Sequence, residues 1–267
     1  MIAIIAGTGT LPLEACKNLT QRQQKFFVVS LFPEDNAHDL KTAAGDNAEI
    51  IAEQCYKPAK ILNLLKEKET KKVLFIGKVD KQNLLKHLKF DWLALKLMGS
   101  LFSRGDKDIM EALLTELNKN GIETLSQEEV LGGLRVPPGI LCGQLTPEIE
   151  RDIQVGINIA MKTSEFDIGQ TVIIKDGMIL AVEAIEGTDA CIKRGIQLGT
   201  KDIVVCKAAS PCQNKKFDLP TLGPSSLASF KDGQIKAIAW LSSHTLIAQK
   251  HVFIKKAQEL RITLVSI

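Results

Sequence analysis

Five apolar residues at the start of the chain, Ile2 to Ala6, run straight into Gly7-Thr8-Gly9-Thr10-Leu11-Pro12, and a helix-compatible stretch continues to about Gln23. A run this short, closed by glycine, reads as a buried strand followed by a tight turn and a helix entry. The pattern recurs. Phe26 to Phe32 is a second strand-like run, and Val73 to Ile76, closed by Gly77, is a third, preceded by a helical pattern over Ala59 to Lys68. Strands alternating with helices restrict the fold to a largely parallel α/β sheet. Helices are predicted over Leu84 to Phe102 and Asp106 to Asn120, the second closed by Gly121 in the C-cap position. A strand at Ile122 to Leu125 would complete a first domain.

The segment Leu131 to Pro147 is rich in Gly and Pro and has no sustained period. The expected division is a first domain over 1–130, a linker over 131–145 and a second domain over 146–267. Thr146 can cap and Pro147 can open a helix running to about Lys162. Gln170 to Lys175 and Met178 to Ile185 flank Asp176-Gly177, a strong signal for an antiparallel hairpin. The second domain is therefore expected to be α+β with a mixed sheet. A helix from Thr188 to about Gln197, a strand at Asp202 to Lys207, a loop with three prolines, two strands, a helix and a last strand complete it.

A net charge of +3 is too small for a nucleic-acid binder, which concentrates its lysines and arginines into a stripe. It leaves an anionic small molecule open. The cysteines at 16, 55, 142, 191, 206 and 212 form no CxxC pair and histidine is scarce, so reduced thiols are expected, not a zinc site or a disulfide framework. The N-terminus lacks the basic segment of a signal peptide, and no apolar run is long enough to span a bilayer. Cytoplasmic action is expected.

Chemistry-bearing residues fall in four places. At Gly7, Thr8, Gly9 and Thr10 a small turn at a helix entry can bring backbone amides to phosphate oxygens; a turn with no ligand has the same look. A dinucleotide fingerprint would place a third glycine where Pro12 stands, which weighs against a nicotinamide cofactor. Gly77-Lys78 ends a strand, where ligands of open α/β sheets collect, although a solvated lysine is the plainer reading. Between 165 and 195, Gln170, Glu183, Glu186, Thr188, Asp189, Lys193 and Arg194 lie close in sequence; Thr188 as N-cap and Asp189 as a first-turn charge would explain two of them structurally. The loop Lys207 to Pro224 carries Lys207, Gln213, Asn214 and Asp218, the last a candidate general base or cation ligand, or a turn residue. In Leu84 to Phe102 a dense apolar stripe bordered by Lys86, Lys89 and Lys96 suits packing on the sheet, an anionic membrane or acyl chains.

These motifs, in this order, resemble the LpxI-type UDP-2,3-diacylglucosamine pyrophosphatase family across nearly the whole chain. The resemblance rests on GTGTLP, Gly77-Lys78, Gly105-Asp106, Pro137-Pro138-Gly139, DIGQ at 167–170, AVEAIEGTDACIKR at 181–194 and FDLPTLGP at 217–224. It implies an N-terminal Rossmann-like α/β domain and a C-terminal α+β domain, with the active site in the cleft between them. It also implies magnesium-dependent hydrolysis of UDP-2,3-diacylglucosamine to 2,3-diacylglucosamine 1-phosphate, lipid X, and UMP, with Asp218 as the catalytic aspartate. The family often reads Gln-Asp where this chain has Gln213-Asn214, which removes a second acidic ligand there. Since a diphosphate repels an incoming hydroxide, Lys78, Arg194 and Lys207 are expected to supply positive charge, and Asp218 with Glu183 or Glu186 to hold Mg2+. Peripheral contact with the inner membrane and a homodimer remain open. A nicotinamide-dependent oxidoreductase and a non-catalytic nucleotide-sugar-binding protein are the rival readings.

Overall fold

In the first unit, Met1–Leu131, five strands pair in parallel in the order β3-β2-β1-β4-β5. They are β1 (Ile2–Ala6), β2 (Phe26–Ser30), β3 (Ala48–Ala52), β4 (Lys72–Ile76) and β5 (Glu123–Thr124). The computed structural model describes residues 1–53, 57–79, 93, 106–210, 216, 219–228 and 230–267. Alternation along each strand sends Ala3, Ile5, Phe27, Val29 and Val73 to one face, where they pack with Ala59, Leu62 and Leu65 of α3 (Pro58–Glu67) and Leu117 of α4 (Asp106–Lys119). Ile4, Val28 and Leu74 are equally buried. A parallel sheet covered on both faces explains why these strands read as continuous apolar runs.

Helix α1 (Leu11–Gln21) follows the first turn and buries Pro12, Ala15, Cys16 and Leu19, the spacing of one helical face. The sequence reading did not register α2 (Pro33–Ala44) or β3. In α2 only Asn36, Leu40 and Ala44 are buried, and β3 lies at the sheet edge with Ala48 its one buried residue. Both therefore carry a thin apolar signal. The predicted helix at 84–102 lies outside the described residues except for Leu93, which is fully buried in the first unit's core. A short α5 (Gln127–Leu131) ends the unit.

The second unit takes up most of the chain from Gly132 onward. Its six-stranded sheet has the order β6-β13-β11-β9-β7-β8. The strands are β6 (Gly139–Cys142), β7 (Thr171–Lys175), β8 (Met178–Val182), β9 (Ile203–Lys207), β11 (Ile235–Trp240) and β13 (Thr263–Ser266). A two-stranded parallel ribbon pairs β10 (Thr221–Leu222) with β12 (Leu246–Ile247). Strands β9, β11 and β13 run parallel, whereas β6 and β7 are antiparallel to their neighbours, so the sheet is mixed. Strand β6 lies inside the stretch expected as linker. Its partner β13 is at the far end of the sequence, so its identity as a strand rests on a tertiary pairing.

Helix α6 (Pro147–Glu165) packs Ile149, Ile153, Ile157 and Ala160 on one face, against Val172, Ile174, Val204, Cys206, Ala237 and Ala239. Helices α7 (Thr188–Gly199) and α8 (Lys250–Glu259) put Cys191, Ile192, Phe253 and Ala257 on the other, against Ile173, Val205, Ile238 and Trp240. Each fully buried aliphatic or aromatic side chain contributes about 1.5–3 kcal/mol. The expected N-cap forms, Thr146 Oγ1 accepting from the Ile149 amide at 3.4 Å. The expected hairpin forms as well. Its turn residues Asp176 and Gly177 have φ of +49° and +80°, and their amides donate to the buried Asp152 carboxylate of α6 at 3.0 and 2.7 Å. At the C-terminal ends of the parallel strands Lys207, Trp240 and Ser266 fall in one register row. Among the described residues no helix is long and apolar enough to cross a membrane.

Candidate functional site

Two polar clusters occupy strand ends, one in each unit. In the first unit the turns after β1 and β4 are zipped together. Thr8 and Lys78 form an antiparallel bridge, each amide donating to the other's carbonyl at 2.9 Å, and the Gly7 amide donates to the Ile76 carbonyl at 2.8 Å. The glycines exist for this approach. A Cβ on Gly7 would lie 2.3 Å from the Lys78 carbonyl oxygen, and one on Gly77, where φ is +99°, would lie 2.8 Å from Thr8 O and 2.9 Å from Pro12 Cγ. Gly7, Thr8, Gly77 and Lys78 are thus brought together as a set, but the Thr8 and Lys78 amides serve each other and not a phosphate. Gly9, φ +100°, has open space where its Cβ would be. Thr10 precedes α1 without a side-chain cap.

Two residues that the sequence reading missed brace this turn. Asn36 of α2 is buried, its Nδ2 donates to the Gly7 carbonyl at 2.7 Å, and its Oδ1 accepts from the Ser30 hydroxyl at 2.6 Å. A polar residue on an unregistered helix gave no signal by spacing.

In the second unit a buried lysine organises the cluster. Lys207 closes β9, and its Nζ donates to Thr188 Oγ1 at 2.9 Å and Thr171 Oγ1 at 3.1 Å and lies 3.8 Å from Glu183 Oε2. Thr188 donates in turn to Glu183 Oε1 at 2.8 Å, and the Gln170 amide donates to Oε2 at 3.3 Å. Burial works against the charged form of Glu183, but the Lys207 ammonium and the donors from Thr171, Thr188 and Gln170 outweigh it, and its pKa falls below the ordinary glutamate value. Gly169 is required beside it, because a Cβ there would meet the Glu183 carbonyl oxygen at 2.2 Å. The hairpin and α7 thus bring Gln170, Glu183, Thr188 and Lys207 together. The buried Thr171 hydroxyl, at the head of an apolar strand, joins them unpredicted.

The entry to α7 departs from expectation. Thr188 does not cap α7; Gly187 occupies the N-cap with φ +81°, and the Thr188 hydroxyl is turned to Glu183 instead. Glu186 pairs with Arg194 at 2.5 Å, and Arg194 also donates to the Val182 carbonyl at 2.7 Å, so the charge expected of Arg194 is partly neutralised locally. Asp189 is exposed in the first turn of α7. Gln213 and Asp218 lie outside the described residues, as do Cys55 and Cys212. Cys16, Cys142, Cys191 and Cys206 are buried free thiols, and burial pushes Cys16 up to about 12 and Cys191 up to about 11, far from a nucleophile's range.

Among the described residues no group of three or more His, Cys, Asp or Glu is placed to hold a metal ion. Glu183, expected as a ligand, does not fit that role as arranged: both its oxygens accept hydrogen bonds, and an ammonium occupies the place of a cation.

Family models of the LpxI N-terminal domain and the LpxI C-terminal domain match residues 1–134 and 137–265. The chain is 28% identical over 274 residues to UDP-2,3-diacylglucosamine pyrophosphatase LpxI of Caulobacter vibrioides, covering 97% of this chain and 94% of that protein. Among solved structures, a UDP-glucose-4-epimerase from Stenotrophomonas maltophila overlaps 45% of this chain and 34% of its own, with 15% identity and a TM-score of 0.31, too slight a likeness to bear on function.

Proposed function

This chain belongs to the LpxI family, and from that membership we propose that it hydrolyses the diphosphate of UDP-2,3-diacylglucosamine to 2,3-diacylglucosamine 1-phosphate and UMP in lipid A biosynthesis. The observation that carries the reading is the span of the match: both family domains and a relative named for this activity align over essentially the whole chain. The protein is a hydrolase of the pyrophosphatase kind.

The parallel order β3-β2-β1-β4-β5 supports a Rossmann-like reading of the first unit, since ligands of such sheets gather outside the carboxyl ends of the strands where the order reverses, here between β1 and β4. Gly7, Thr8, Gly9, Thr10, Gly77 and Lys78 stand at that point and are assigned to the nucleotide end of the substrate. Their bridge makes them a rigid floor, with Gly9 as the place of closest ligand approach. Gln170, Glu186, Thr188, Asp189, Arg194, Lys207 and Gln213 are assigned to the remaining contacts. Asp218 orients or deprotonates the attacking water. Magnesium, when bound, offsets the charge of the diphosphate, with Asp218 and not Glu183 as its carboxylate. The buried Lys207 and the half-buried Glu183 hold the ends of their strands, so a fixed electrostatic frame exists before substrate arrives.

The test is release of UMP and lipid X from UDP-2,3-diacylglucosamine in dispersing detergent, followed by mass spectrometry with magnesium and then with EDTA. Wild-type protein should release both only with metal, and Asp218→Ala should release neither. Equal turnover by Asp218→Asn would remove the aspartate from the chemistry.

A further inference from the structure

We propose that Asn36, with Ser30 behind it, is a positioning residue for substrate: it fixes the orientation of the Gly7–Thr8 peptide and so the surface that Gly9 presents to the nucleotide. The proposal rests on the assignment of that turn to the substrate.

A buried asparagine is an expensive way to fill a helix face. Its amide loses water on folding and is tolerated only when its hydrogen bonds are replaced. Asparagine also ranks low as a helix former, so neither packing nor propensity selects it at this position of α2, where Leu40 and Ala44 bury the same helix with apolar groups. Its two hydrogen bonds explain it. Nδ2 donates to the Gly7 carbonyl at 2.7 Å and Oδ1 accepts from Ser30 Oγ at 2.6 Å, which settles which end of the amide faces the turn. Ser30 is fully buried as the last residue of β2.

The peptide between Gly7 and Thr8 is consequently held at both ends. Asn36 binds its carbonyl, and its N–H, carried by Thr8, donates to Lys78 O at 2.9 Å. A peptide plane pinned at C=O and N–H cannot rotate, and Thr8, whose own carbonyl accepts from the Lys78 amide at 2.9 Å, passes that direction on to Gly9 at φ +100°. Glycine would otherwise sample both signs of φ freely. Without Asn36 the bridge to Lys78 remains, but the carbonyl loses its anchor and the turn regains part of that freedom. The link runs from α2 and the end of β2 to the turn between β1 and α1, and no reacting atom is touched.

Such a residue acts on ground state and transition state alike, so its loss should raise KM and spare kcat. A merely structural role would lower the amount of active enzyme and leave KM unchanged. Asn36→Ala and Ser30→Ala should be compared with wild type for KM and kcat on UDP-2,3-diacylglucosamine, with a thermal melt as the folding control. Asn36→Ala is expected to raise KM roughly tenfold, and Ser30→Ala, which leaves the Gly7 bond in place, roughly two- to threefold. A cooperatively melting Asn36→Ala with wild-type KM overturns the proposal. If Asn36→Ala does not fold, Ser30→Ala decides it, a raised KM supporting and a wild-type KM overturning. Absence of turnover by the wild type would defeat the assigned reaction, and the role of Asn36 with it, an outcome distinct from an active wild type matched by its variants.

Discussion

Each unit holds a partly buried polar cluster at strand ends, and the two are satisfied by opposite means. In the first, Ser30, Asn36, the Gly7 carbonyl and the Thr8–Lys78 bridge are joined by hydrogen bonds between neutral groups. In the second, a full charge on Lys207 is balanced by Glu183 through Thr171 and Thr188. Neutral groups cost less to desolvate, and losing one leaves a modest debt. A buried ion pair is strongly coupled, since removal of one partner strands the other charge in a poorly solvating interior. The first arrangement suits setting a backbone shape; the second suits holding an electrostatic frame.

The largest expected effect follows from that asymmetry. Lys207→Met should destabilise the protein by about 2–4 kcal/mol in urea unfolding, because the half-buried Glu183 is left without its counter-ion. Adding Glu183→Gln to it should recover a good part of the loss; strictly additive effects would show that the pair is not coupled. Next, Gly77→Ala should cost about 1–3 kcal/mol from the positive φ alone, with further loss as the methyl group meets the turn between β1 and α1. A wild-type melting temperature would mean that the zipped turns are loosely held.

Acid sharpens the contrast. Glu183 has a folded pKa below the ordinary value of about 4.3, so its contribution is fully present above that pH and is lost as pH falls through it toward the folded value. Stability measured against pH in this range should slope less steeply in Glu183→Gln than in wild type, whereas Ser30→Ala should keep the wild-type slope, because its network contains no titrating side chain. Smallest is the loss of the α6 cap: Thr146→Ala should cost about 1 kcal/mol in chemical unfolding and leave KM unchanged.

The elements legible in the sequence were those whose apolar pattern is dense or whose ends are marked: β1, β2, β4, β5, β9, α1, α3, α4, the Asp176-Gly177 hairpin, α6 and α7. Helix α2 and strand β3 escaped because they bury little, and β6 because three residues between glycines have no period of their own. The site was half legible on the same terms. Glycine turns and clustered charges drew attention to Gly7, Gly77, Glu183 and Lys207. Asn36, Ser30 and Thr171 did not stand out, since a buried polar residue looks like any other until its partner is known.

Sequence alone determined the alternation of strands and helices, the glycine turns and the family motifs, because each is written in local spacing. Tertiary structure decided the strand order, the pairing of Gly139–Cys142 with the last strand, and the use of Glu183 as counter-ion to Lys207. Those outcomes depend on which residues meet across long separations, and a carboxylate becomes a ligand, a base or a counter-ion according to the charge that folding places beside it.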